Sequence, residues 1–151
     1  MHFETLDNHS RVWVYQSDRP FLSSEIEKIE KEIAAFTDQW NAHGMELTAA
    51  GTIMDNRFVV LGVNEDMTNV SGCSIDSSIR FIKTIGEQLN IDFFNRLKIL
   101  TITDNGDYEY LTHGKLKDHT ERIMYNTLVD KKVDLENNFK IPVSVYLNSR
   151  K

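Results

Sequence analysis

Cysteine is almost absent from this chain of 151 residues, which contains only Cys73. A single cysteine cannot form an intrachain disulfide, so the disulfide frameworks of small secreted domains are excluded. Long apolar runs are also missing: none approaches the roughly 20 residues of a membrane helix, and residues 1–11 lack the apolar core of a signal peptide. We therefore expect a cytoplasmic protein that does not insert into a membrane.

Positive charge is scarce as well. The chain carries 17 Lys and Arg residues against 23 Asp and Glu residues, a formal net charge of -6. The densest basic spot combines Lys115, Lys117 and Lys131–Lys132 with acidic neighbours. Because binding to a phosphate backbone needs a basic patch, nucleic acid is not an expected partner.

The sequence also lacks the motifs of nucleotide and metal chemistry. No glycine is followed by the partners of a phosphate-binding loop, and the G-x-G-x-x-G fingerprint is missing. The five histidines show no H-E-x-x-H spacing, and a zinc site cannot be assembled from one cysteine. We expect no cofactor and no metal.

What the chain does contain is an ordinary globular composition, with 40% hydrophobic and 26% charged residues. A chain of this length can bury a core without disulfides or metals. We therefore expect one domain over residues 1–151.

The order of predicted elements suggests a fold. Turn residues and apolar periodicity predict, in order, strand 11–16, helix 24–40, strands 47–54 and 57–63, helix 75–90, strands 97–103 and 108–112, and helix 118–138. The first six match the βαββαβ order of a ferredoxin-like α+β fold, with an antiparallel sheet and both helices on one face. The last two predicted elements, strand 108–112 and helix 118–138, would then be additions to that fold at its C-terminal end.

Several element ends have local signals. Ser24 and Glu27 have the spacing of a capping box, and His43–Gly44 suits a left-handed end to the same helix. Pro142 pushes Ile141 towards extended geometry, and the alternation from Val143 to Leu147 indicates a short last strand or an extended tail.

The start of the second long helix is the candidate functional site. Gly72 permits a tight turn, and Ser71, Cys73 or Ser74 can cap the helix, while Asp76 places a carboxylate in its first turn. Free amides and the helix dipole favour negative charge there. A ligand-binding turn of Ser71, Gly72, Cys73, Ser74 and Asp76 is predicted, for a small anion or a partner's acidic group, although ordinary helix capping explains the same residues.

Two other functions stay open. Cys73 near a helix start could be the nucleophile of a small enzyme, with His43 or His113 as its base, or the turn could serve as an oxyanion site. Alternatively the protein could be an assembly or scaffold subunit that acts through a sheet face or edge, as a homodimer with Tyr108, Tyr110 and Tyr146 at the contact. The aromatic residues Trp13, Tyr15, Phe36 and Trp40 are predicted to be core.

The motif S-G-C-S-I-D at 71–76, with Ser78, Phe81 and Ile82–Lys83 after it, resembles a group of small uncharacterised bacterial proteins often labelled ABC-transporter ATPases. The resemblance extends from Trp13 through Trp40-x-x-His43-Gly44 to Ile141–Pro142, while residues 145–148 depart from the group's pattern. The label implies ATP hydrolysis, but the absent phosphate loop predicts that this chain does not bind ATP as a transporter ATPase does.

Overall fold

The chain divides into two compact units. The computed structural model describes residues 1–150; the first unit comprises Met1–Phe94 with Asp130–Val133, and the second comprises Asn95–Val129 with the described residues from Asp134 onward. Each unit contains an antiparallel sheet and helices, so the expected α+β class is confirmed. The single domain stays a prediction.

The first unit is built on a three-stranded antiparallel sheet. Its elements in chain order are a 3-10 helix at Phe3–Thr5, β1 (Arg11–Gln16), α1 (Ser23–Gln39), β2 (Asn41–Ala42), β3 (Met45–Glu46), β4 (Thr48–Met54), β5 (Phe58–Asn64) and α2 (Gly72–Leu89). The sheet order is β1-β5-β4. Asp55 and Asn56 have φ values of 49° and 54°, which confirms the predicted tight turn between β4 and β5.

Both long helices pack on one face of this sheet. Alternate residues of β5 form one buried cluster with apolar residues of α1 and α2, among them Ile29, Ile33, Val59, Leu61, Val63, Ile82 and Ile85. A Cβ on Gly51 would lie 2.5 Å from Ile33 Cγ2, so glycine permits the close approach of α1 to β4. Trp40 belongs to this core and Trp13, Tyr15 and Phe36 pack against it, as predicted.

The ends of α1 differ from the sequence prediction. Glu25, not Glu27, closes the first turn: its Oε1 accepts a 2.8 Å hydrogen bond from the Leu22 backbone, because Arg19 holds the carboxylate there. At the other end Trp40 turns to extended geometry, and its indole is buried. The predicted His43–Gly44 helix end is therefore wrong, and these residues form the turn between β2 and β3.

The strand expected to complete the sheet lies elsewhere. Strand β6 (Lys98–Ile102) pairs in the second unit, so the chain departs from the ferredoxin-like order at its sixth element. The free edge of β1 is instead lined by the segment 130–132: Val12 N–H donates to Asp130 O at 2.9 Å, and Lys132 N–H donates to Ser10 O at 2.8 Å. These bonds satisfy backbone groups that an open edge would expose.

The second unit contains a four-stranded antiparallel sheet in the order β7-β6-β8-β9. Its elements are β6, β7 (Tyr108–Thr112), a 3-10 helix at His113–Asp118, β8 (Ile123–Tyr125), β9 (Lys140–Pro142) and α4 (Val143–Ser149), while α3 (Lys132–Asn137) begins in the first unit. The hairpin of β6 and β7 is confirmed, with Gly106 at a φ of 83°.

Two predictions fail in the second unit. The helix expected over 118–138 is replaced by a loop, β8 and the short α3, because Met124 is buried in the sheet opposite Thr101. The expected last strand is helix α4, in which Val143 and Tyr146, three residues apart, are buried on one side. Pro142 precedes that helix in extended geometry, a position that proline tolerates.

None of the helices described in residues 1–150 is both long enough and apolar enough to cross a membrane.

Candidate functional site

The start of α2 is a reciprocal serine cap. The Ser71 backbone is extended, its Oγ accepts the Ser74 N–H at 3.1 Å, and Ser74 Oγ accepts the Ser71 N–H at 3.1 Å. This arrangement satisfies a first-turn amide that would otherwise have no partner. Of the three cap residues considered from sequence, the structure selects Ser71.

Ser74 has a further structural role. Its Oγ donates to Asn41 O at 2.8 Å, and its carbonyl accepts a 2.9 Å bond from Trp40 Nε1. Ser74 is 1% exposed. Ser74 therefore fastens the start of α2 to the residues that directly follow α1, and its buried side chain offers little to a ligand.

Gly72 and Cys73 form the open part of the turn. Both are exposed, and among the described residues neither amide N–H has a partner outside the helix. They are the first two residues of an 18-residue helix, where backbone donors and the dipole both favour an anion. These two backbone N–H groups are the hydrogen-bond donors that the turn could provide to an anionic ligand.

The acidic groups near this turn act against an anion. Asp76 is exposed but is the fifth residue of α2, so the prediction that it lies in the first turn is wrong. Glu65 approaches from the preceding loop, where its Oε2 accepts the Val70 N–H at 2.9 Å. An anion at Gly72 and Cys73 would have to bind despite this nearby carboxylate.

The two histidines proposed as bases lie in different environments. His43 is exposed in the turn between β2 and β3, two residues after Asn41, the residue that binds Ser74. His113 lies in the second unit, where its Nε2 is 3.1 Å from the Tyr146 hydroxyl. Tyr146 is buried in helix α4, so the prediction that it lies on an edge strand is wrong.

An open cleft lies at the opposite end of α2, within the first unit, and encloses about 440 Å³. Buried apolar residues and Gly86 form its floor, and charged or polar residues form its rim; the lining comprises Asp18, Ile82, Lys83, Gly86, Glu87, Asn90, Ile91, Asp92, Phe93 and Phe94. Sequence analysis missed this cleft.

Close backbone packing shapes the cleft. A Cβ on Gly86 would lie 2.6 Å from Ile91 O, so only glycine lets the segment after α2 fold back this tightly. Asn90 ends the helix in the left-handed conformation, with φ 55°. Asp18 Oδ1 then accepts the Asp92 N–H at 3.2 Å, which joins two parts of the chain that are 74 residues apart.

An ion pair lies beside the cleft. Arg19 donates to both carboxylate oxygens of Glu25, each at 2.8 Å, and also to Leu89 O, the last carbonyl of α2, at 2.7 Å. The hydrogen bond from Arg19 holds the pKa of Glu25 at about 2, well below its ordinary value. The Arg19 charge is thus matched within the protein.

One exposed group has the composition of a cation site. The ligand atoms of Asp7, His9 and Asp66 lie within 4.8 Å of one another, and within residues 1–150 no other trio of histidine, cysteine or acidic ligands is this close. His9 Nε2 is 3.0 Å from Asp66 Oδ1, and Asn64 Nδ2 donates to Asp7 Oδ2 at 3.3 Å. Exposed hydrogen bonds explain this arrangement without an ion, and the absence of a metal stays a prediction.

Comparison with known proteins identifies no relative. No protein-family model matches the chain, and neither a curated protein nor a solved structure matches it. The resemblance at residues 71–76 stays a prediction, and the function has to be inferred from the side chains themselves.

Proposed function

We propose that the protein is a cytoplasmic small-ligand-binding or regulatory module and not an enzyme. The observation that carries the proposal is the cleft of about 440 Å³ beside the C-terminal half of α2. Ligand sites typically enclose about 300–1,000 Å³ and combine apolar walls with a few polar groups. The cleft falls within this range of volume, although it is open to solvent, and its lining combines four apolar residues with five polar or charged ones. The exposed, unpaired thiol of Cys73 is consistent with a reducing compartment.

The start of α2 is proposed as a second, weaker site of this module. An anionic group would bind to the free amides of Gly72 and Cys73, with Ser71 and Ser74 holding the turn in shape. Asp76 and Glu65 would limit its affinity. The two sites lie at opposite ends of α2, so each can be tested without the other.

A fragment screen by ¹H–¹⁵N NMR tests the proposed function. We expect compounds from a library balanced in charge to shift the amides of residues 82–94 in a saturable way. Lys83→Trp, which places an indole on the cleft rim, should abolish those shifts. Gln88→Trp introduces the same side chain at an exposed position of α2 outside the cleft, so binding should persist there. A screen without saturable shifts at residues 82–94 would refute the proposal.

The alternative of a thiol enzyme is favoured by one observation, the exposure of Cys73 at the second residue of α2. A nucleophile of this kind should react with iodoacetamide at neutral pH at least about tenfold faster than the thiol of a short unstructured peptide with the sequence around Cys73. Equal rates for the protein and the peptide would eliminate this alternative.

The finer fold assignment is likewise a proposal. The order β1-β5-β4 with α1 and α2 on one face supports an incomplete ferredoxin-like arrangement, in which segment 130–132 stands where a fourth strand would lie. We also propose, without a structural observation that carries either, that the chain belongs to the bacterial group that it resembles at residues 71–76 and that it forms a homodimer.

A further inference from the structure

We propose that the cleft at the end of α2 takes a small organic cation, an alkyl amine or diamine. This inference rests on the proposed small-ligand function and adds the chemical class of the ligand. It concerns the end of α2 opposite the serine cap, and no anion-binding group of that cap takes part.

The charges on the cleft rim favour a cation. Three lining residues are acidic, Asp18, Glu87 and Asp92, and all three are exposed. Lys83 is the single basic residue of the lining. The rim is therefore net negative, and this charge attracts a cation at short range.

Neighbouring charges do not reverse this balance. Arg19 reaches the last carbonyl of α2, but its guanidinium is already paired with Glu25 through two hydrogen bonds of 2.8 Å. In both Asp18 and Asp92, only the Oδ1 atom accepts a hydrogen bond from a backbone N–H. Their Oδ2 atoms remain for a ligand ammonium, which accepts no hydrogen bond and needs several acceptors.

The helix itself contributes in the same direction. Glu87 and Asn90 lie at the C-terminal end of α2, where the aligned peptide dipoles leave partial negative charge. A carboxylate ligand would be repelled by both this dipole and the acidic rim. The opposite end of α2 has the reverse polarity, so the two ends select ligands of opposite charge.

The floor of the cleft determines the rest of the ligand. Among the apolar lining residues, Phe94 is half-buried and presents the most surface to a ligand, while Ile82, Ile91 and Phe93 are at most 6% exposed. Alkyl carbons gain from contact with the exposed part of Phe94, and aromatic rings also attract ammonium groups. A short aliphatic chain that ends in an amine matches both the floor and the rim.

The experiment compares three ligands of equal chain length on the full-length protein: 1,5-diaminopentane, pentane-1,5-diol and glutarate. Amide shifts at residues 82–94 are followed by NMR at low salt. We expect the diamine to bind at least about tenfold more tightly than the diol, and glutarate to bind more weakly still. Binding of the diamine should weaken as salt is added.

Matched variants separate the cleft from the general acidity of the protein. Glu87→Gln and Asp18→Asn should each weaken diamine binding about threefold, and the amide introduced by Asp18→Asn keeps an oxygen that can accept the Asp92 N–H. Glu30→Gln makes the same charge change on an exposed residue of α1 outside the cleft and should leave diamine binding nearly unchanged.

Failure of this inference is distinguishable from failure of the proposed function. If the diol or glutarate shifts residues 82–94 as tightly as the diamine, the cationic class is wrong and the binding module stands. An equal loss of diamine affinity in Glu30→Gln and Glu87→Gln would also overturn the inference, since the attraction would then come from the overall negative charge of the protein and not from the cleft. If no compound of any charge binds the cleft, both proposals fall.

Discussion

The side chains of Arg19 and Glu25 join the first loop to both long helices. Arg19 binds Glu25 and Leu89 O, while Glu25 also accepts the Leu22 N–H. The Glu25 pKa is about 2 in the folded protein against 4.5 for the ordinary group. Because the folded-state value is depressed, this contribution to stability is complete above about pH 4.5 and is lost as the pH falls towards 2.

Glu25→Gln should therefore lower the free energy of unfolding at pH 7 by about 1–2 kcal/mol, since Arg19 is one-third exposed and solvent screens the pair. Urea denaturation at several pH values measures the effect. The variant should also lose stability less steeply than the parent between pH 4.5 and 2. Glu27→Gln, at a residue whose side chain is 75% exposed, is the control and should change stability by less than about 0.5 kcal/mol. Equal effects of the two substitutions would contradict the assignment.

Gly72 provides a direct test of the anion site. Proline is tolerated at the first residue of a helix and removes the backbone donor, and the extended Ser71 before it is compatible with proline. Gly72→Pro should weaken binding of inorganic phosphate at least about tenfold, as expected for loss of one hydrogen bond to a charged group. The shift of the Cys73 amide during an NMR titration measures the affinity.

Gly72→Ala is the matched control, because a Cβ at this position meets nothing within 4 Å and the N–H is kept. The alanine variant should bind phosphate like the parent. Identical affinities of the proline and alanine variants would show that the Gly72 amide does not contact the anion.

At the scale of elements, the cleft depends on how closely the chain after α2 folds back on the helix. A Cβ on Gly86 would lie 2.6 Å from Ile91 O and 3.5 Å from Phe93 Cδ2. Gly86→Ala should thus destabilise the protein by about 2–3 kcal/mol despite the better helix propensity of alanine. Chemical denaturation gives the value, with Gly72→Ala on the same helix as the control. A neutral Gly86→Ala would mean that residues 91–93 do not pack as described.

Sequence analysis correctly predicted those elements whose formation depends on residues close together in the sequence. Asp55–Asn56 and Asp104–Asp107 identified two hairpins because their turn chemistry is short-range. The apolar stripes identified α1 and α2, since each is long enough to repeat its period. The turn at Gly72 and Cys73 was also predicted from sequence, because it lies at the start of a helix with clear apolar periodicity.

Distant contacts account for what sequence analysis missed. The apolar residue Met124 fits the periodicity of a helix as well as that of a strand. Only its pairing opposite Thr101 makes β8 a strand. The cleft forms where Asp18 contacts Asp92, 74 residues further along the chain. A contact at this separation cannot be predicted from residue spacing. Ser74 was predicted to bind a ligand, but its contacts with Trp40 and Asn41 come from beyond its own helix, at the end of α1.

On the scale of the whole molecule, the first unit is not continuous in sequence. Residues 130–133 return to it after the 35 residues from Asn95 to Val129, which belong to the second unit. Lys132 Nζ donates to Glu4 O at 2.8 Å and Leu6 O at 2.6 Å, and Val133 N–H donates to Asn8 O at 2.9 Å. The returning segment thus fixes the residues before β1 as well as the edge of β1 itself.

A fragment of residues 1–94 should therefore be less stable than its core alone suggests. Without the segment 130–133 the N–H of Val12, which is 3% exposed, loses its partner, and the outer edge of β1 opens. Five hydrogen bonds to the segment disappear; at about 1 kcal/mol each, we expect a loss of roughly 3–5 kcal/mol and self-association through β1. Thermal denaturation and size-exclusion chromatography measure both effects. The matched control joins residues 1–94 to residues 130–133 through a flexible linker, which should restore a stable monomer. If the two fragments behave alike, the returning segment adds nothing to the stability of the first unit.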